Sequence, residues 1–335
     1  MRPVNTPEVM LKTAPRSNVC SVIRNARAEA EERLGGGYAA RVLEPSPPAV
    51  NDGPWFADDP VARGESRDGR QIVSPVGTGD LRWGDLARGD PDLAAWCADR
   101  WLGAHRRLGP APAGLTDTRE SLHRVGEQVV SKAREHANGK IALRYTRGGF
   151  GTPFFGDDVQ VRVEGTDLVV QEGRDERRAP ITTLPAAAEL VGAHLLPAAL
   201  ELDAAPLAVD AGAARFLGDW YGFAYSVLEE LRAGADATLE PSRVQLWPEH
   251  FDASVELGAD ADGRRAGYGA SPGDGRNAEP YLYVTPWSPP ADGELWNATA
   301  FQGAALPLAG LLDAGDQRPA ALDFLRARLD TLQAS

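Results

Sequence analysis

"GKIALRYTRGGFGTPFFGDDVQVRVEGTDLVVQE", residues 139–172, marks the point where the periodicity of the chain changes. Before it, "DPDLAAWCADRWLGAHRRL" (90–108) and "DTRESLHRVGEQVVSKAREHA" (117–137) carry apolar residues at i, i+3 and i+4. Each opens on a capping Asp and closes at a Gly-containing end, so both read as amphipathic helices. After Gly139 the period falls to two. "KIALRYT" (140–146), "VQVRVE" (159–164) and "DLVVQE" (167–172) alternate, with a short Gly-centred turn between the last two, and the spacing predicts a β-meander or hairpin set.

Working outward, helical spacing returns over 182–195 and 211–233, where Phe216, Trp220, Phe223, Val227 and Leu231 mark a core face. Strands are expected again over 243–247, 250–257 and 281–285, and an amphipathic helix over 318–332 closes the chain. Because turns rather than helices join most of these strands, the pattern predicts an α+β fold, a largely antiparallel sheet with helices packed on it. Upstream, a helix over 18–34 is stopped by "GGG" at 35–37, and the Pro/Gly-rich stretch from 44 to 80 reads as an irregular arm that docks through Trp55 and Phe56. The expected organisation is an N-terminal helix and arm over 1–80 and one α+β domain over 81–335.

Composition narrows the function classes. A formal net charge of −13, three lysines (Lys12, Lys132, Lys140) and no basic cluster longer than "RR" argue against a nucleic-acid partner. Two cysteines, Cys20 and Cys97, without CxxC spacing cannot build a disulfide framework or a zinc knuckle. The N-terminal stretch has no apolar leader, and the longest apolar run (184–202) is broken by Glu189, His194 and two prolines, so the expectation is a cytoplasmic protein with no membrane partner. "RGGFGTPFFGDD" (147–158) lacks the Lys-Ser/Thr ending of a phosphate loop and reads instead as a tight aromatic turn around Phe150. No motif assigns a cofactor, and the oligomeric state is left open.

The candidate chemistry lies in "RVQLWPEHFDASVEL" (243–257). Read as a strand, it puts His250, Asp252 and Ser254 on one face and Phe251, Ala253 and Val255 on the other, with Glu249 excluded from the polar set. Side chains along one face start about 7 Å apart, too far for the direct bonds of a Ser-His-Asp triad. His250 is the candidate general base or hydrogen-bond donor, and Asp252 its orienting partner. The alternative is a His and an Asp on the open side of a sheet with no chemistry. A metal at the His-x-Asp pair would need His105, His123, His136 or His194 as well, and none is assigned. "ESLHRVGEQ" aligns Glu120, His123 and Glu127 on one helix face, but a di-iron site needs that element twice; the reading there is a His123–Glu127 pair or a cap on the core stripe. "GYGASPGDGRNAEPYLYVTPWSPP" (267–290) reads as a long loop running into a strand, with Tyr281 and Tyr283 sharing a face. Tyr268, Tyr281, Tyr283 and Trp287, with Phe150, form the expected ligand-binding wall.

From about Glu120 onward, the order of "LHRVGEQVVSKA", "GKIALRYTRGGFGTP", "WPEHFDAS" and "YGASPGDGRNAEPYLYVTPW" resembles an uncharacterised bacterial family of domains of unknown function common in actinobacteria. The resemblance covers about residues 120–300. It implies a shared α+β fold and carries over no activity and no site residue. The expected function is to bind or transform a small organic molecule in an aromatic pocket beside His250 and Asp252. The alternative is a non-catalytic interaction protein that docks through the 44–80 arm.

Overall fold

The computed structural model describes residues 107–334 apart from 147, 154, 157–158, 173–174 and 290–292, all within one compact unit. The expected 18–34 helix, the 44–80 arm, all but two residues of the 90–108 helix, both cysteines and His105 lie outside the described residues.

The first long helix runs as α1 (Leu115–Val125), a π-helical turn (Gly126–Val130) and α2 (Ser131–Asn138). Its N-cap is Gly114 in the left-handed region, and Asp117 sits within the first turn rather than capping it. Gly139, also left-handed, ends the helix. The change of period then becomes a meander of β1 (Arg144–Thr146), β2 (Gly149–Gly151), β3 (Val159–Glu164), β4 (Asp167–Glu172) and β5 (Asp175–Pro180), antiparallel throughout and paired in chain order. After α3 (Leu184–Val191) and α4 (Ala211–Ala233), a second antiparallel meander forms from β6 (Gln245–Trp247), β7 (Asp252–Leu257), β8 (Ala266–Ser271), β9 (Tyr281–Pro286) and β10 (Ala304–Pro307). The short helix α5 (Leu308–Asp313) and then α6 (Gln317–Ala334) complete the chain. The fold is α+β.

The strand expected over 281–285 is β9, but the long loop expected ahead of it is corrected: its first part is strand β8, which leaves only 272–280 between the two. The expected 250–257 strand begins at Asp252, because 248–251 form a turn.

The two sheets meet at one point, where Leu143 and Leu246 exchange backbone bonds of 2.7 and 2.9 Å. Across both lies α4, capped by Asp210, whose carboxylate accepts from the Ala213 N–H at 2.9 Å. It packs on β1, β2, β7 and β8, and α6 packs against it. Phe216, Trp220, Phe223, Val227 and Leu231 are all buried, with Tyr221, Ala224 and Leu228 buried between them. A helix apolar on nearly every side belongs inside a protein. From the second sheet Ala253, Val255, Leu257, Tyr268, Ala270, Leu282 and Val284 join that core, which leaves the opposite face of the sheet for the polar residues. Among the described residues no helix is long and apolar enough to cross a membrane.

Candidate functional site

The site begins at the turn between β6 and β7. Trp247 pairs with Asp252, and the chain between them reverses through Pro248, Glu249, His250 and Phe251. Phe251 takes φ 57°, a left-handed conformation costly for a bulky L-residue. It is held there from several sides. Its N–H donates to the Trp247 carbonyl at 2.7 Å, and its own carbonyl accepts from the buried Tyr221 hydroxyl at 2.7 Å. Its ring stacks on His123 at 5.0 Å and meets the edges of Phe150 and Tyr221 at 4.9 and 5.6 Å. Gly126, at the start of the π-helical turn, makes room: a Cβ there would lie 3.1 Å from the Phe150 ring and 3.4 Å from that of Phe251. His123 Nε2 hydrogen-bonds with the Pro248 carbonyl at 2.8 Å and so ties the helix to the turn; this replaces the expected pairing with Glu127.

With Phe251 anchored inward, Asp252 emerges on the outer face of the second sheet. The strand register puts Trp247 beside Asp252, Gly269 beside Ser254 and Tyr283 beside Gly269. Gly269 is the residue that closes the group. A Cβ at 269 would sit 2.3 Å from Tyr283 Cζ, so only glycine lets the tyrosine ring lie across β8. The Tyr283 hydroxyl thereby reaches two strands over and donates to Asp252 Oδ2. Ser254 also hydrogen-bonds Tyr283, and the Trp247 indole donates to the Ser254 Oγ at 3.0 Å. Asp252 Oδ1 is buried and has no hydrogen-bond partner among the described residues, with 9% of the residue's surface exposed, while the residue's own backbone N–H also acts on the carboxyl.

A second Tyr–Asp pair lies alongside. Tyr281 donates to Asp274 Oδ2 at 2.6 Å, and Asp274 Oδ1 accepts from the backbone N–H groups of Arg276 and Asn277 at 2.6 and 2.8 Å. The rings of Tyr281 and Tyr283 are 6.1 Å apart, and Phe301 lies 6.3 Å from each.

The two carboxyls are pushed in opposite directions. Burial raises the pKa of Asp252, and the Tyr283 bond and the charge of His250 only partly offset it. Burial acts upward on Asp274 too, but there the Tyr281 hydroxyl and the two backbone donors prevail and hold it below the usual range. Burial and the Asp252 carboxylate drive the Tyr283 phenol far above its ordinary value, and burial with the Asp274 bond pushes Tyr281 up to about 12. Tyrosines so placed are proton donors in hydrogen bonds and not phenolates.

Of the residues singled out from the sequence, Asp252, Tyr281 and Tyr283 come together. His250 does not share their strand face: it is exposed in the turn and acts on Asp252 through charge, without a bond between them. Tyr268 has the opposite parity and is fully buried on the helix side, and Phe150 is core. Trp287, 56% exposed, lies beyond β9 with the Arg265 guanidinium 5.3 Å from its ring centroid. Ser254, expected on the same strand face as Asp252, is in the group, whereas Trp247, Asp274 and Phe301 are residues that the sequence reading does not name. The parity of β6 and β7 could have found Trp247; nothing in the irregular stretch around Phe301 announces it. Among the described residues no three His, Cys, Asp or Glu side chains converge to hold a metal ion.

Comparison of the chain with protein-family models, with curated proteins and with solved structures finds no match.

Proposed function

We propose that the outer face of the second sheet is a small-molecule site. In it, Asp252 Oδ1 accepts a hydrogen bond from the ligand or exchanges a proton with it, while Trp247, Tyr281, Tyr283 and Phe301 contact its carbon frame. His250, exposed in the adjoining turn, is the neighbouring group able to pass a proton between Asp252 and water. The observation that carries this reading is the Asp252 carboxyl itself, buried, fixed through one oxygen and without a hydrogen-bond partner for the other among the described residues. An unmade bond at a buried polar group costs about 1–3 kcal/mol, and more for a charged one. A strained residue, a π-helical turn and a carboxyl with a raised pKa meeting at one place support the same reading, since such features gather at working sites.

A thermal-shift screen of small organic compounds against wild type and Asp252→Asn tests it. A ligand at about 100 times its Kd stabilises the native state by about 2.7 kcal/mol, so compounds that raise the wild-type Tm should lose that effect in the variant. A screen whose hits act equally on both proteins, or that yields none, sinks the proposal.

A further inference from the structure

We infer that the ligand of this site is an organic ammonium ion, bound by an N–H donor to Asp252 Oδ1 with its carbon frame against the half-buried rings of Trp247, Tyr283 and Phe301. The inference rests on the small-molecule reading above and adds the charge and donor type of the ligand.

The first support is hydrogen-bond capacity. An ionised Asp252 is an acceptor only, and with Oδ2 taken by Tyr283 the vacancy is for a donor. The second is charge. No described lysine or arginine pairs with Asp252, and the cationic-capable side chains that act on it are His250 and His123, neither of which bonds to it. Asp274 adds an ionised carboxylate to the same face. Arg119, which acts on Asp274, is engaged by Glu120 and by the Ala278 carbonyl. With Asp252 ionised, a neutral ligand leaves a buried charge that no described lysine or arginine pairs and an anion worsens it, whereas an ammonium group supplies a paired counter-charge. Third, aromatic rings beside the carboxylate favour a cation over a neutral isostere. Asp252 is not sealed, since it and Tyr283 both retain some exposure, and rotation about χ2, a broad torsion for Asp, presents Oδ1 to an incoming donor.

Isothermal titration of the full chain with benzylamine, benzyl alcohol and benzoate decides the point. Benzylamine should bind at least about tenfold more tightly than the other two, as expected of one hydrogen bond to a charged group. Asp252→Asn should remove this preference, while Glu189→Gln, which deletes an exposed carboxylate elsewhere, should keep it. The ranking of the three ligands is read on wild type and needs no variant to fold. Benzyl alcohol or benzoate binding as tightly as benzylamine, with loss in Asp252→Asn, overturns the ammonium assignment and leaves the small-molecule site standing. Benzylamine that fails to bind, or that binds Asp252→Asn unchanged, also overturns it; whether the site falls as well is then read from the thermal-shift screen.

Discussion

Phe251 sets backbone preference against burial. The left-handed conformation costs an L-residue about 1–2 kcal/mol, whereas truncating a buried Phe to Ala costs about 3–5 kcal/mol, so the ring prevails and the turn accepts the strain. Phe251→Ala should lose the ring and keep the strain, while Phe251→Gly loses the ring and relieves it. In urea unfolding, Phe251→Gly should therefore be the more stable variant by about 1 kcal/mol, the reverse of the usual Ala-over-Gly order. If Phe251→Ala proves the more stable of the two, the left-handed assignment is wrong. The same residue explains why the strand expected over 250–257 starts two residues before β7 does. A turn reading looks for Gly or Asn at the left-handed position, and a buried Phe there gives no such sign. Tyr281 and Tyr283 were legible as a same-face pair because a pleat leaves no alternative. Asp252 was legible as their neighbour on the polar side, but its bond to Tyr283 was not, because it runs across Gly269 of β8, and Asp274 was not, because a loop brings it to Tyr281.

At the level of elements, α4 was readable throughout from its helical spacing, whereas β2, expected as part of a tight turn over 147–158, and β5, β8 and β10 were not. "DERRAP" has no apolar alternation to detect. β5 is held by backbone pairing with β4 and by cross-strand charges, with Arg162 on Glu176 at 2.8 Å and Arg178 on Glu164 at 3.1 Å. Partly exposed pairs of this kind contribute about 0–1 kcal/mol each and mainly guard an edge. β8 hid behind its glycines, which serve close approach: Gly269 admits the Tyr283 ring. Gly218 on α4 poses the same conflict between propensity and packing. Helix propensity alone makes Gly218→Ala stabilising by about 1 kcal/mol. A Cβ there, however, would lie 2.7 Å from the Gly148 carbonyl carbon and 3.1 Å from the Gly149 nitrogen, backbone atoms that cannot rotate away. Overpacking of this sort costs about 1–3 kcal/mol, so Gly218→Ala should lower the urea midpoint. A raised midpoint would show that α4 and β2 separate without loss.

For the whole molecule, an excess of acidic groups means that stability depends on pH through carboxyls of two opposed kinds. Asp252 and Glu229 are the buried kind. Burial raises both, and for Glu229 it outweighs the opposing charges of Arg232, Arg144 and Arg243 and an Arg232 contact at 3.5 Å. Asp274 is of the other kind, lowered by donors that outweigh its burial. A group with a raised folded-state pKa binds more protons in the native than in the unfolded chain. Its stabilisation is complete below the unfolded value and disappears as pH rises through the folded one. A lowered group does the reverse, losing its contribution as pH falls. Asp252→Asn and Glu229→Gln, which cannot titrate, should therefore compare more favourably with wild type at pH about 8 than at pH about 4. Asp274→Asn should compare less favourably at the higher pH. Urea unfolding of the four proteins at both pH values measures these differences on one scale, and the opposite sign for Asp274 separates site-specific titration from a general effect of removing negative charge. An Asp252→Asn profile parallel to wild type would mean that the carboxyl titrates alike in both states, and the buried, half-satisfied Asp252 on which the proposed site depends would have to be given up.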